Sequence, residues 1–286
     1  MTGTNRGAGE REFAFDDGHF RQVCELIHSR AGIALAPGKK DMVYSRLCRR
    51  LRALGLADFD AYLRRLSRTS DPEWEAFTNA LTTNLTAFFR EPHHFTWLAE
   101  FLAGRGAGDR TRVWCAAAST GEEPFSIAMV AAETLGRRAG TLEQVATDVD
   151  TAVLARARAG IYDLDRIDEL SAERRKQFFQ RGIGPNAGKV RVRPETAATI
   201  RFQTLNLVAP EWRLDGVFDV IFCRNVMIYF DKPTQRRILE RMHQRLAPEG
   251  YLVAGHSESY LNVPSLFTPC GRTIYRRAGI SGAQAA

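Results

Sequence analysis

The chain contains no run of 18 apolar residues, and residues 1–15 carry no apolar segment behind a basic start. A membrane-spanning helix and a secretory leader are therefore not expected, and a cytoplasmic location is. Cysteine is sparse: five residues (Cys24, Cys48, Cys115, Cys223, Cys270) among 286, odd in number and without a C-x-x-C pair. That spacing argues against a disulfide framework or a zinc ribbon and for reduced thiols in mostly apolar settings. Of the six histidines only His93 and His94 are adjacent. Successive helix residues point about 100° apart, so they make a poor chelating pair, and no metal is expected. What the chain does have is an ordinary globular composition, 44% hydrophobic and 26% charged, in a length that suits one large domain or two. It also has a surplus of base, with 40 Lys and Arg against 33 Asp and Glu, a net charge of +7. An acidic partner is favoured, but the sign alone does not choose among nucleic acid, an anionic membrane surface and an acidic protein.

Residues 112–129, R-V-W-C-A-A-A-S-T-G-E-E-P-F-S-I-A-M, organise the rest. Val113, Trp114 and Cys115 read as a buried strand, residues 116–121 as a small-residue turn, and Pro124 as the opening of an apolar helix. Strand, tight turn and helix start form the cofactor end of a doubly wound sheet. The turn lacks the G-x-G-x-x-G fingerprint and any lysine, and Glu122 and Glu123 stand where a phosphate would otherwise bind. Carboxylates repel phosphate, which favours a hydroxylated, cationic cofactor. The next strand, read over 145–148, closes on Asp148, and an acidic residue there commonly accepts from ribose hydroxyls, though such an Asp is often only a helix cap. Together the two signals point to S-adenosylmethionine.

Around this centre, residues 16–80 read as a small basic helical domain. Its second helix, about 39–54, carries Val43, Leu47, Leu51 and Leu54 on one arc and Lys39, Arg46, Arg49, Arg50 and Arg52 on the other. Charged faces are usually just solvated, but five basic positions on one face are unusual without an anionic partner. Further helices are expected at 58–68, 71–84 (Asp71 as cap) and 92–103. After a helix at 151–159, residues 160–181 read as helical and charged. A glycine-rich turn (182–188) then leads into K-V-R-V-R at 189–193, whose period-2 alternation predicts an exposed two-faced strand in a small antiparallel insertion. Strands follow at 199–205, 217–223, 251–254 and 273–275, with a helix at 233–246. The run V-F-D-V-I-F-C has the continuous apolar character of a central parallel strand, and it ends in Arg224-Asn225, where open α/β sheets bind ligands.

Four segments, T-T-N-L-T-A-F-F-R-E, W-C-A-A-A-S-T-G-E-E-P-F-S-I-A, F-D-V-I-F-C-R-N-V-M-I-Y-F-D and G-H-S-E-S, together resemble the bacterial chemotaxis receptor glutamate O-methyltransferases, the CheR family. The resemblance spans roughly residues 15–276. It implies an α/β fold: a Rossmann-like S-adenosylmethionine-dependent methyltransferase sheet with an all-helical N-terminal domain and a small antiparallel β-subdomain insertion. The corresponding division is a tail (1–12), a helical domain and linker (13–90), a methyltransferase domain (91–280) with its insertion at about 178–198, and a tail (281–286). The implied activity is methyl transfer from S-adenosylmethionine to glutamate carboxylates of chemoreceptors, leaving S-adenosylhomocysteine. Implied cofactor contacts are Asn84, Thr86, Arg90, Glu122 or Glu123, Asp148, Asn206, Leu207, Arg224 and Asn225, with Arg90 and Tyr229 assisting transfer and His256 capping or supporting the site. An acceptor carboxylate, with a pKa of about 4.3, is already ionised at neutral pH. No general base is required, which fits the lack of a histidine or cysteine nucleophile.

The implied partners are the cytoplasmic domain of methyl-accepting receptors and a receptor C-terminal peptide, met by a monomer that binds no nucleic acid and inserts in no membrane. Lys39, Arg46, Arg49 and Arg50 are the candidates for the receptor's acidic helices. Arg181, Gly182, Gly184, Gly188, Arg191 and Arg193 are the candidates for the peptide, by strand addition at an exposed edge. Two other classes compete. A nucleic-acid amine methyltransferase would carry an Asp/Asn-Pro-Pro-Tyr type loop where this chain has Arg224-Asn-Val-Met, and Cys223, which a cytosine carbon enzyme would need as nucleophile, falls inside a buried strand. A non-catalytic cofactor sensor would bind the cofactor without turnover.

Overall fold

A computed structural model describes residues 11–279 except 107 and 262, so the predicted tails lie almost wholly outside the described residues. The chain divides into two compact units between Thr82 and Thr83, so residues 83–90 belong with the second. No helix among the described residues is long and apolar enough to cross a membrane.

The first unit is four helices: α1 (Asp17–Ala31), α2 (Lys40–Leu54), α3 (Phe59–Leu66) and α4 (Glu73–Leu81). Local chemistry sets their ends. The Asp16 carboxylate accepts from the His19 N–H at 2.8 Å and Asp58 from the Ala61 N–H at 2.7 Å, while Gly32 and Gly55 close α1 and α2 in the left-handed conformation. The apolar arcs converge on one core that includes Val23, Ile27, Val43, Leu47, Leu51, Phe59 and Phe77. Helix α4 is shorter than the expected 71–84. Its N-cap is Pro72 rather than the expected Asp71, whose carboxylate one residue earlier accepts from the Glu73 N–H at 2.9 Å, and Thr82 turns extended at ψ 153° and ends it.

The basic face of α2 is less free than its helical wheel suggests. Arg50 forks onto the buried Glu73 with two 2.8 Å bonds, and Tyr62 donates to the same carboxylate at 2.9 Å. Arg46 donates to the Ala80 and Thr82 carbonyls at 3.2 and 2.6 Å, and Arg52 pairs with Glu12. Acidic and carbonyl partners distant in sequence absorb these charges, leaving Arg49 and Lys39 exposed.

The second unit opens with α5 (His93–Ala103) and then builds a seven-stranded sheet and a three-stranded one. In chain order these are β1 (Thr111–Cys115), α6 (Glu122–Leu135), β2 (Leu142–Asp148), α7 (Thr151–Ala159), β3 (Ile161–Asp163), α8 (Ala172–Phe178), β4 (Phe179–Arg181), β5 (Lys189–Val192), α9 (Pro194–Ala197), β6 (Ile200–Thr204), β7 (Phe218–Cys223), α10 (Lys232–Arg245), β8 (Leu246–Ala254), β9 (Phe267–Gly271) and β10 (Ile274–Arg277). The large sheet runs β6-β2-β1-β7-β8-β10-β9, parallel through β8, with β10 antiparallel to both its neighbours. Strands β1 and β7 are continuously apolar and buried over Val113–Cys115 and Val220–Cys223 because both faces are covered there. Val113, Cys115, Val220 and Phe222 join the core under α5 and α6, while Trp114, Ile221 and Cys223 join the one under α10.

Three expectations fail here. Residues 160–181 are not one helix: Gly160 ends α7 at φ 59°, β3 follows at once, and only Ala172–Phe178 is α-helical. Tyr162, Phe178 and Phe179 are buried, and they anchor this stretch as a sheet against the core. The insertion therefore starts at β3 rather than near residue 178. The strand Lys189–Val192 is not an exposed edge either. It is central in the order β3-β5-β4, with Val190 and Val192 buried and Lys189 and Arg191 exposed. Strand β9, Phe-Thr-Pro-Cys-Gly, has a proline and a glycine in five positions and no period to read.

Candidate active site

The site gathers at the carboxyl ends of β1, β2 and β7. After β1 the chain bends sharply, with Ser119 at φ 47° and Gly121 at φ 101°. A side chain at Gly121 would lie 2.9 Å from the Tyr162 hydroxyl and 3.0 Å from Ala157 Cβ, so glycine is required for both backbone and space. Asp148 ties this turn to the end of β2. One carboxylate oxygen accepts from the Ser119 N–H at 2.8 Å and the other from the Asp150 N–H at 2.9 Å. Burial outweighs these bonds and pushes the Asp148 carboxyl up to about 6. Asn84 closes over the same corner. Its amide donates to Asp150 at 2.8 Å, and its carbonyl accepts from the Ser119 hydroxyl at 3.0 Å.

Helix α6 begins two residues before Pro124, so Glu122 and Glu123 occupy its first turn, where the helix dipole favours carboxylates. Each has its own arginine. Glu122 accepts from the Thr120 hydroxyl at 2.6 Å and pairs with Arg166, which also donates to the Thr86 carbonyl at 2.8 Å. Glu123 accepts from Arg224 at 2.5 Å and from the Cys115 thiol at 3.1 Å. The Arg224 side chain is 1% exposed and also engages the Arg90 carbonyl and Glu91, the latter at 3.3 Å. Its two terminal nitrogens are thus committed to protein partners, while its buried Nε has no hydrogen-bond partner among the described residues.

Beyond β7, Asn225 sits at φ 57°, with its side-chain amide 3.3 Å from Glu91. Glu91 also accepts from the His256 N–H at 3.0 Å. Burial would raise the Glu91 pKa, but the Arg224 charge, the His256 N–H and the Asn225 amide together hold it below the usual range. His256 meets this corner through its backbone N–H, and the residue is otherwise exposed. Tyr229 closes a 3-10 turn, Met227–Tyr229. The Arg90 guanidinium donates to the Leu85 carbonyl at 2.9 Å, its one hydrogen bond among the described residues. Asn206 accepts from the Val208 N–H at 3.1 Å in a local turn, and Leu207 is buried.

His93 and His94 do not diverge as their adjacency on a helix predicts. Their rings lie 4.0 Å apart, and with Glu91 they bring three ligand atoms within 4.8 Å of one another. The Glu91 charge is nonetheless already balanced by Arg224, and burial, Arg224 and His93 push His94 down to about 3.

Residues 84–276 match the family model described as CheR methyltransferase, SAM binding domain, and residues 18–82 match CheR methyltransferase, all-alpha domain. The chain belongs to the CheR methyltransferase family. It is 53% identical to the chemotaxis protein methyltransferase of Salmonella typhimurium over 93% of this chain and 92% of the relative. The Escherichia coli protein of the same name is also 53% identical, over 92% and 91%. Chemotaxis protein methyltransferase 2 of Pseudomonas aeruginosa is 49% identical over 94% and 96%. As a CheR-family member the protein is an S-adenosylmethionine-dependent methyltransferase. The donor set fits this cofactor: the Asp148 carboxylate closes β2, those of Glu122 and Glu123 open α6, and the arginines that face the two glutamates are paired with them rather than offered to a phosphate.

Several residues that shape the site were not singled out from sequence. Glu91 and Glu258 ended or lay within quoted motifs, so a signal existed for both. Arg166 and Tyr162, which donates to the Thr120 carbonyl at 2.7 Å, lie in the 160–181 stretch, whose charged pattern reads as a helix and offers no such signal.

Proposed function

We propose that this CheR-family methyltransferase methylates glutamate side-chain carboxylates of chemotaxis receptors, producing methyl esters. The relatives' names supply the chemotactic setting, and one observation carries the chemical reading. The strand ends present paired carboxylates and a positioned arginine, with no histidine or cysteine placed as nucleophile: Cys115 and Cys223 are fully buried, and burial pushes both thiols up. S-adenosylmethionine supplies, when bound, an electrophilic methyl group on a sulfonium. The carboxyl ends of β1 and β2 hold its hydroxyl and amino groups through Asp148 and a first-turn glutamate, and Asn84, Thr86, Asn206, Leu207 and Asn225 line the remainder.

Arg90, with one N–H fixed on Leu85, keeps the rest of its guanidinium for a two-pronged grip on the acceptor carboxylate. Tyr229 steadies the acceptor in line. Receptor helices meet the exposed Lys39 and Arg49 of the helical unit. A receptor tail peptide adds to an outer strand of the small sheet beside Arg181 and the 182–188 loop, where tethering raises local enzyme concentration. Incubation with labelled S-adenosylmethionine and receptor cytoplasmic fragments tests the reading. Base-labile label on the receptor is the expected result, and its absence, or label on nucleic acid, overturns it.

A further inference from the structure

The G-H-S-E-S turn after β8 holds a carboxylate whose use is specific. Glu258 is 4% exposed and faces the loop that leaves β7. Its Oε2 accepts from the Gly255 N–H at 2.7 Å and the Asn225 N–H at 2.9 Å, while Oε1 accepts from the Val226 N–H at 3.0 Å and the Met227 N–H at 2.8 Å. Three consecutive amides aimed at one carboxylate form a small anion nest, which a left-handed residue such as Asn225 creates by turning its own N–H toward those that follow. Without the carboxylate, those amides would have no partner in a largely buried corner.

The opposite wall is equally close. A methyl group at Gly255 would stand 2.5 Å from the Asn225 side-chain nitrogen and 2.7 Å from its backbone nitrogen. Asn225 is thus pressed against Gly255 on one side and held through its amide by Glu258. The constraint runs on to Tyr229, whose N–H donates to the Val226 carbonyl at 3.1 Å.

We propose that Glu258 is a positioning residue for methyl transfer: it staples the 225–227 backbone so that Asn225 and Tyr229 are presented in one fixed geometry. It acts through those residues and touches no reacting atom. This inference rests on the reading of Asn225 and Tyr229 given above. Burial raises the Glu258 pKa and outweighs the four N–H bonds that lower it.

The test compares Glu258→Gln, Glu258→Asp, Gly255→Ala and Asn225→Ala with the wild-type chain. Glu258→Gln keeps the size but turns an amide NH2 toward donors; Glu258→Asp keeps the charge one methylene short. Gly255→Ala strains the same loop with the carboxylate intact, so it carries the test if Glu258→Gln fails to fold.

Hydrogen exchange on cofactor-free protein reads the staple directly. The amides of residues 225–227 and 255 should exchange at least tenfold faster in Glu258→Gln, while those of β1 and β7 keep their wild-type protection. In protein folded at the assay temperature, turnover at saturating cofactor and receptor should drop at least tenfold in Glu258→Gln and Gly255→Ala, and recover in part in Glu258→Asp. Wild-type turnover in both of the first two variants overturns the proposal, as does unchanged exchange at residues 225–227. Wild-type turnover in Asn225→Ala, with exchange altered in Glu258→Gln, instead counts against the assigned role of Asn225 and leaves the staple in place.

Discussion

Arg224 Nη1 lies 2.5 Å from Glu123 Oε2, and both side chains are buried, at 1% and 10% exposure. This ion pair joins the end of β7 to the first turn of α6, and the Arg90 carbonyl and Glu91 also engage the guanidinium. Removing one partner strands the other charge in a dry setting. Arg224→Met should therefore cost about 3–5 kcal/mol of stability. Thermal or urea unfolding measures this, and a variant as stable as wild type would show that the pair is not structurally required. Cofactor affinity should be compared only among Arg224 variants that remain folded.

Asp148 is the site's pH-sensitive group. Its folded pKa of about 6 lies above its ordinary value of 3.8, so between the two the folded chain holds a proton the unfolded chain has lost. This group's contribution to stability is complete below the lower value and falls as pH rises through the window, by up to about 1.4 kcal/mol per unit. Cofactor affinity should run the other way. Ribose hydroxyls donate to an ionised carboxylate, so binding weakens as pH falls below about 6. Calorimetric titrations across that range should show the dependence in wild type and a flat profile in Asp148→Asn. A pH-independent wild-type affinity would place the ribose on other groups.

Arg90→Lys keeps the charge and loses the planar fork. Turnover on saturating receptor should fall far more than cofactor affinity, because the fork is proposed to hold the acceptor. Normal turnover would exclude that role.

The face of α2 now separates into two classes. Lys39→Glu with Arg49→Glu should raise the receptor KM, with unchanged melting temperature and an effect that fades with salt, since exposed charges are screened within about 8 Å at physiological ionic strength. Arg50→Glu should instead lower the melting temperature, because it sets a second carboxylate against the buried Glu73. Equal receptor kinetics in the Lys39 and Arg49 double variant would leave the face merely solvated.

For the small sheet, a receptor tail peptide must pair with an outer strand, because both sides of β5 are taken by β3 and β4. Peptide binding should weaken with Arg181→Glu at the β4 edge and with Arg191→Glu on the face. Titration decides it, and no wild-type binding at about 100 μM, a threshold of about −5.5 kcal/mol, would leave the subdomain a structural element.

The helices of the first unit, the parallel strands and the strand-turn-helix at residues 112–129 were legible from sequence because their signals are local. Caps, periodic apolar arcs and double-sided burial each show within a dozen residues, as at Asp58, Leu47 and Val220. The residues proposed to flank the reaction were legible because they sit at strand ends, where Asp148 and Asn225 follow buried strand segments. Tertiary structure alone decided which charges are free. Glu73 lies 23 residues from Arg50, Glu123 lies 101 from Arg224, and Glu122 lies 44 from Arg166, so no window shows that these arginines are spent. It also decided that β5 is central rather than an edge, since strand order depends on pairing between distant segments. Glu258 makes the same point: only the fold brings its carboxylate to three amides more than 30 residues away in the chain.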